Sequence, residues 1–404
     1  MSTSLLYHAF GLSDYAYVHQ KFANGGIIFR VRPKWRLIRC PVCRARNVIR
    51  RGFCVRRLRT IPIGFKPVWL DVELPRVYCP ECGCVRQINP VIARKRKSYT
   101  RAFEKYVVAL AKVMTLADIA KLLGISWDCV KDIVKSRLLR RFSKVSFKGV
   151  RYLGIDEISV RKGHKYLTVV MDLERGNVIY VGDGKGADAL NGFWKRLGKY
   201  AKNIMAVSTD LSPAYISAVL EHLPGVPLVS DHFHLVKLAN DTLTETRRGL
   251  YHELKDKMGK DVVKGMHWIL LKNQENLSEE KGEASRLQEA LELNEPLALA
   301  YYMKEDMRQF WQQSGREEAE KLINSWLARA WSSGITNLIK LANTIAIHKF
   351  GILNWYDHPV SSGKVEGTNN KIKVLKRMAY GYRDMEFFKL RILAIHEAKY
   401  ALAG

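Results

Sequence analysis

At 404 residues the chain is long enough for two or three domains with separate cores, and its 47% apolar content is that of a folded protein. Its net charge of +28 is extreme and uneven: residues 1–150 carry 31 Lys and Arg against 8 Asp and Glu, a net of +23, while residues 151–404 net only +5. With no signal peptide, no apolar run near the ~18 residues of a membrane span and no basic amphipathic helix with an aromatic face, we expect a cytoplasmic protein whose basic front half meets nucleic acid, not a membrane.

In chain order, Gly25-Gly26 reads as a turn and Ile27–Val31 as a strand. Six of the seven cysteines then fall between Cys40 and Cys84. Cys40-Pro-Val-Cys43 and Cys79-Pro-Glu-Cys82 are two C-x-x-C knuckles, which place four thiolates on two tight turns and suit one tetrahedral, structural Zn²⁺. Four-cysteine closure leaves no open position, so this metal folds a small domain and does no chemistry. The rival readings are a redox pair or buried free thiols, with Cys54 and Cys84 as substitute ligands. Between the knuckles, Val55–Ile61 and Val68–Leu74 look like strands of a β-ribbon.

The run Arg94-Lys95-Arg96-Lys97 is expected to contact DNA phosphates or the minor groove. Thr100 caps a helix from Arg101 to Met114. Thr115 and Asp118 make a capping box, with Ile119, Leu122 and Leu123 on one apolar face. Gly124 serves as the turn, where positive φ costs little, and Ser126 caps the next helix with Val130, Ile133 and Val134 inward. This is a helix-turn-helix whose outward Trp127, Asp128, Lys131 and Lys135 would face a major groove.

Three strands joined by tight turns follow, Tyr152–Val160, His164–Asp172 and Asn177–Val181. The first carries Asp156 and Glu157. A helix from Asp188 to Leu197 precedes the strand Ile204–Asp210. A helix from Ala214 to Leu223 leads to the strand Val226–Ser230 and then to Asp231-His-Phe-His234. The order β-β-β-α-β-α-β puts Asp156 on the first strand and Asp210 after the fourth, the two carboxylate places of an RNase H-like fold. Residues 235–355 read as a helical insertion, with amphipathic runs Leu238–Leu254 and Ala319–Trp331 and a Glu-rich, solvated stretch from Gln274 to Glu295. After Ser361, a helix would carry Glu366, Asn369, Asn370, Lys373 and Arg377 on one face and Val365, Ile372, Leu375 and Ala379 on the other. A last helix, Met385–Ala401, is expected to pack on the same domain.

The four stretches Gly154-Ile-Asp156-Glu157, Thr209-Asp210-Leu-Ser-Pro-Ala-Tyr215, Asp231-His-Phe-His234 and Val365-Glu366-Gly-Thr-Asn-Asn-Lys-Ile-Lys373, followed by Lys376-Arg377-Met-Ala-Tyr-Gly381, resemble the ISL3 family of bacterial insertion-sequence transposases. With the zinc-finger and helix-turn-helix units, the resemblance spans nearly the whole chain. It implies a DDE transposase that binds the terminal inverted repeats of its element and performs Mg²⁺-dependent strand cleavage and strand transfer. The implied architecture is α/β and multidomain: a zinc domain (1–93), a helix-turn-helix (94–148), an RNase H-like core (149–234 and 356–404) and an α-helical insertion (235–355).

The implied catalytic triad is Asp156, Asp210 and Glu366. It would hold two Mg²⁺, replaceable by Mn²⁺, with Asp156 bridging both ions. Glu157, Asp231 and His234 would orient the triad or the substrate, and Asn370, Lys373 and Arg377 would meet DNA. The implied partners are double-stranded DNA, as terminal repeats and target within the nucleoid, and a second copy of the chain in a synaptic homodimer or larger assembly. The alternatives are a catalytically silent DNA-binding regulator and an RNase H-like nuclease that joins no ends.

Overall fold

Val55–Ile61 and Val68–Leu74 lie within two long strands that pair antiparallel, Leu58 opposite Leu70 and Thr60 opposite Val68. In the computed structural model, which describes residues 5–161, 165–254, 262–292, 294–360 and 363–397, they centre the first of two units, Met1–Ser143 with Arg383–Gly404. A short helix α1 (Leu5–Phe10) precedes strands β1 (Tyr15–Ala23), β2 (Gly26–Pro33), β3 (Ile49–Ile63), β4 (Lys66–Tyr78) and β5 (Val85–Gln87). Their order is β1-β2-β4-β3, with β5 on β4 and only β2 and β4 parallel. Strand β1 has no counterpart in the sequence analysis. It is an edge strand, exposed almost throughout, so its residues carry no apolar alternation.

β4 is central and buried on both faces, yet it carries Asp71 and Glu73. Arginines on the neighbouring strands neutralise both: Arg57 donates to Asp71 at 2.8 and 3.0 Å, and Arg30 and Arg32 donate to Glu73. A buried carboxylate is tolerated only with such partners. Part of the front half's positive charge is therefore structural.

The same unit holds helices α2 (Arg101–Leu110), α3 (Leu116–Leu123) and α4 (Trp127–Phe142). The Phe103, Asp118 and Cys129 N–H groups donate to the hydroxyls of Thr100, Thr115 and Ser126, as the cap residues predict. Gly124 takes φ +60 between α3 and α4. Ile119, Leu123, Val130, Ile133 and Val134 are buried, but Leu122 is exposed. The C-terminal helix spans Met385–Leu393 and packs on α4 of this unit, a correction to its expected place on the catalytic sheet. Residues 398–401 of the expected helix lie outside the described residues, as do His164 and Ser361.

The second unit, Lys144–Tyr382, is built on β6 (Tyr152–Arg161), β7 (Lys165–Asp172), β8 (Asn177–Asp183), β9 (Ala206–Thr209) and β10 (Leu228–Ser230). Strand order is β10-β9-β6-β7-β8, with β6, β9 and β10 parallel and the β6-β7-β8 meander antiparallel. This is the RNase H-like arrangement. Helices α5 (Asn191–Leu197) and α6 (Pro213–His222) join the strands as expected, Phe193 and Tyr215 filling the core between them and the sheet.

The insertion runs through α7 (His232–Glu253), α8 (His267–Leu271), α9 (Glu283–Glu292), α10 (Glu295–Arg308), α11 (Arg316–Ser332) and α12 (Thr336–Asp357). Two apolar clusters hold it, one around Trp326 and Phe310, the other around Leu270 and Leu297. The Glu-rich stretch is not wholly solvated: α9 buries Leu287, Ala290 and Leu291, and Glu283 is buried against Lys272 at 2.6 Å. α12 returns the chain to the sheet edge, where Asn354 Nδ2 donates to the Leu228 carbonyl at 2.8 Å. Helix α13 (Gly363–Met378) then lies along β6. Among the described residues, no helix is long and apolar enough to cross a membrane.

Gly154 sets how closely α13 approaches the sheet. A Cβ there would lie 2.7 Å from side-chain atoms of both Val365 and Leu173. Gly154→Val should therefore cost about 1–3 kcal/mol through overpacking. Gly367→Ala, on α13 in open space, should be neutral or stabilising by up to ~1 kcal/mol. Urea unfolding of the two variants checks the contrast.

Candidate active site

Three parallel strands bring one row together, from the middle of β6 and from the ends of β9 and β10. Ile155 pairs with Thr209, and Thr209 with Ser230. The next residue along the chain is an aspartate in all three, Asp156 within β6, Asp210 just after β9 and Asp231 just after β10. Asp156, Asp210 and Asp231 thus stand side by side, and the Asp231 N–H donates to the Thr209 carbonyl at 3.2 Å. Each carboxylate is steadied by a local N–H: Glu157 to Asp156 at 2.7 Å, Ser212 to Asp210 at 3.1 Å and Phe233 to Asp231 at 2.9 Å. Asp231 also caps α7, and its second oxygen meets His234 Nδ1 at 2.8 Å.

Helix α13 meets this row at Asp156. Asn369 Nδ2 donates to Asp156 Oδ2 at 2.6 Å, while Asn369 Oδ1 is buried with no partner. Asn369, expected on the exposed face, is 8% exposed and points to the sheet. Glu366 lies one turn earlier and is exposed, as are Asn370, Lys373 and Arg377. Ala379, expected on the apolar face, lies beyond the helix and is exposed. Beside Asp210 opens a cavity of about 240 Å³, lined by Asp210, Ser212, His234, Lys237, Leu238 and Asp241. Lys237 and Asp241 were not singled out in the sequence. Their signal was the spacing of about three along α7 from Asp231 through His234.

Burial pushes the Asp156 carboxyl up to about 6, the nearby Asp210 and Asp231 adding to it while the Glu157 N–H and His234 oppose it. Asp210 is raised as well, chiefly by burial, and Glu157 by burial and by Asp210. The hydrogen bond to Asp231 holds His234 above its ordinary value. The site is a set of partly buried anions short of positive charge. An oxygen donor set of this kind suits a hard divalent cation. Asp156, Asp210 and Glu366 nevertheless stand further apart than the four cysteines of the first unit. Among the described residues, the sulfurs of those four cysteines all lie within 4.8 Å of one another.

That cluster is Cys40, Cys43, Cys79 and Cys82. The first cysteine of each knuckle is buried and the second exposed, and all are free thiols. A positive-φ residue closes each turn, Arg44 at +64 and Gly83 at +67, and their N–H groups donate to the Cys40 and Cys79 carbonyls. The set fits the four-thiolate coordination of a structural zinc.

The expected DNA contacts divide. Trp127, Lys95 and Arg96 are exposed. Arg94 instead donates to Glu104 at 2.8 Å, a carboxylate it shares with Arg140, and the Lys97 carbonyl accepts from Arg56. Lys131 and Lys135 both reach Asp384 at 3.0 Å, and Lys135 also reaches Glu386 at 2.6 Å. Asp384 is held below the ordinary carboxylate range by the Phe387 N–H and by both lysines. The Arg94, Lys131 and Lys135 side chains are thus engaged within their own unit, and the sequence spacing had no way to show it.

Residues 153–392 are similar to the ISL3 DDE family, described as transposase. Residues 87–138 are similar to the helix-turn-helix domain of transposase family ISL3, and residues 36–82 to the zinc-finger of transposase IS204/IS1001/IS1096/IS1165. The transposase for insertion sequence element IS1001 of Bordetella parapertussis is 31% identical, over 90% of each chain. The transposase for insertion sequence element IS1557 of Mycobacterium tuberculosis is 30% identical, over 88% of this chain and 85% of that one. Among solved structures, a Drosophila P element transposase strand transfer complex aligns with a TM-score of 0.42 and 11% identity, over 76% of this chain and 94% of that one.

Asp156 offers a stability test free of any activity. Its folded-state pKa is raised from 3.8 to about 6. The resulting cost is absent below the unfolded value and grows as pH rises through the folded one. In cation-free buffer, Asp156→Asn should therefore stabilise the protein by roughly 1–3 kcal/mol at pH 8 and by far less at pH 4. The partnerless Asn369 Oδ1 can accept from the new amide after a flip. Urea midpoints at the two pH values check the sign.

Proposed function

The chain belongs to the ISL3 family of transposases, and on that premise we propose that it binds the terminal inverted repeats of its own element and catalyses Mg²⁺-dependent cleavage and strand transfer through Asp156, Asp210 and Glu366. The observation that carries this reading is the level Asp156-Asp210 pair on the adjacent parallel strands β6 and β9, met at Asp156 by the helix that carries Glu366. Two divalent cations, when bound, would supply charge neutralisation of the phosphate and a more acidic attacking water or 3′-hydroxyl. Asp156 and Asp210 would take their places with little rearrangement, because the sheet and their local N–H bonds already fix them. Glu366 would approach by a rotamer change on the exposed face of α13. Mn²⁺ would serve in place of Mg²⁺.

Asn369 would hold the Asp156 carboxylate in a fixed orientation toward a bound cation. His234, oriented by Asp231, lies at the mouth of the cavity beside Asp210. As an imidazolium it would balance charge and position a DNA phosphate, while Glu157 adds to the negative field. Asn370, Lys373 and Arg377 continue the exposed face of α13 and would hold the flanking DNA backbone. In the first unit, zinc on Cys40, Cys43, Cys79 and Cys82 would keep the basic β domain folded. Trp127, Lys95 and Arg96 are free to meet DNA in the structure as it stands. Lys131 and Lys135 would do so after release from Asp384. Pairing two ends requires at least a dimer, and the protein would act on DNA in the cytoplasm.

The test is a labelled duplex carrying the element's terminal repeat, incubated with Mg²⁺ or with EDTA. Asp156→Asn, Asp210→Asn and Glu366→Gln should each reduce nicking at the repeat boundary by more than about a hundredfold while leaving repeat binding intact. Specific binding without metal-dependent nicking, on single and on paired ends, would favour the silent regulator. Nicking without joining of paired ends would favour the nuclease.

A further inference from the structure

The zinc knuckles hold one thiol more than a tetrahedral ion takes. Cys84 follows the second knuckle, and its Sγ lies 3.3 Å from Cys82 Sγ and 3.5 Å from Cys40 Sγ. Two backbone features bring it there. Gly83 takes φ +67, and the Cys79 N–H donates to the Cys84 carbonyl at 3.0 Å, so the chain folds back over the knuckle. Cys82 is exposed and Cys84 half-buried, which leaves the pair open to a small oxidant. Cys54 has no such place: it is exposed on β3, opposite Leu74. The similarity to the zinc-finger family ends at residue 82 and gives Cys84 no role.

We propose that Cys82 and Cys84 form a hydroperoxide-sensitive pair whose disulfide releases the structural zinc, Cys82 being the thiolate that is oxidised and Cys84 the thiol that resolves it. The inference rests on reading the four-cysteine cluster as a zinc site. The Cys82 sulfur attacks a hydroperoxide oxygen. An S–O bond forms, the O–O bond breaks, and hydroxide or an alkoxide leaves and takes a proton from solvent water, giving a sulfenic acid. The Cys84 sulfur then attacks Cys82. The S–S bond forms, the S–O bond breaks, and hydroxide leaves as water with the Cys84 proton. The two sulfurs lose two electrons, and the hydroperoxide gains them. Cys40, Cys43 and Cys79 are one ligand short of a closed site, the ion dissociates, and the basic β domain loses its clasp. A thiol reductant with zinc reverses the sequence.

The zinc-loaded full-length protein is treated with excess hydrogen peroxide, and released zinc is followed with a chromogenic chelator beside peptide mass spectrometry. The wild type should release one zinc per chain, show a Cys82–Cys84 disulfide and recover its zinc after reduction. Cys84→Ser should load zinc normally, release it at least about fivefold more slowly and recover none, its Cys82 passing to the sulfinic acid. Zinc release from Cys84→Ser at the wild-type rate, or a disulfide between any other pair, overturns the proposal. Failure of Cys84→Ser to load, with normal loading of Cys82→Ser, overturns it too by making Cys84 the ligand. A wild type that holds no zinc fails the zinc-site reading itself, and the stoichiometry measured before oxidation reports that separately.

Discussion

The second unit depends on the register of three parallel strands. With Ile155, Thr209 and Ser230 level, any polar residue one step further on all three strands must join a common row. The sheet does what no loop does as well. It holds like charges side by side against their repulsion, because the hydrogen-bond ladder and the apolar core beneath it fix the backbone. Burial, with a smaller addition from the neighbouring aspartates, raises the Asp156 and Asp210 carboxyls.

The closing element is α13, and its approach is steric before it is chemical. Gly154 leaves room for Val365, Lys364 Nζ ties the helix to the Leu173 carbonyl at 2.7 Å, and Lys376 Nζ ties it to Ser159 at 3.2 Å. Within that grip, Asn369 meets Asp156 and Glu366 is left at the surface. The long helical excursion between β10 and α13 does not loosen this geometry. Asn354 and the close packing of Gly351 on Ser230 bring α12 back to the sheet edge.

The front half shows how little a count of cations says about where they act. Arg57, Arg30 and Arg32 neutralise acids inside a sheet, Arg94 and Arg140 hold Glu104, and Lys131 and Lys135 hold Asp384. The net charge still favours a polyanion, since charge acts at long range. The local contacts decide which side chains are free to touch one.

By itself the sequence determined whatever rests on local chemistry or on motif order. The two knuckles, the Thr100, Thr115 and Ser126 caps, the Gly124 turn, the strand order and the family all follow from neighbouring residues. Only the tertiary structure decided what depends on partners far along the chain: that Asn369 turns inward to Asp156, that Asp231 joins the row, that the helix at Met385 packs on α4, and that Cys84, not Cys54, sits against the knuckles. Those partners lie tens to hundreds of positions apart, and a helix face or a strand register is chosen by the surface it meets. Periodicity shows that a face exists. The packing of the rest of the chain shows what covers it.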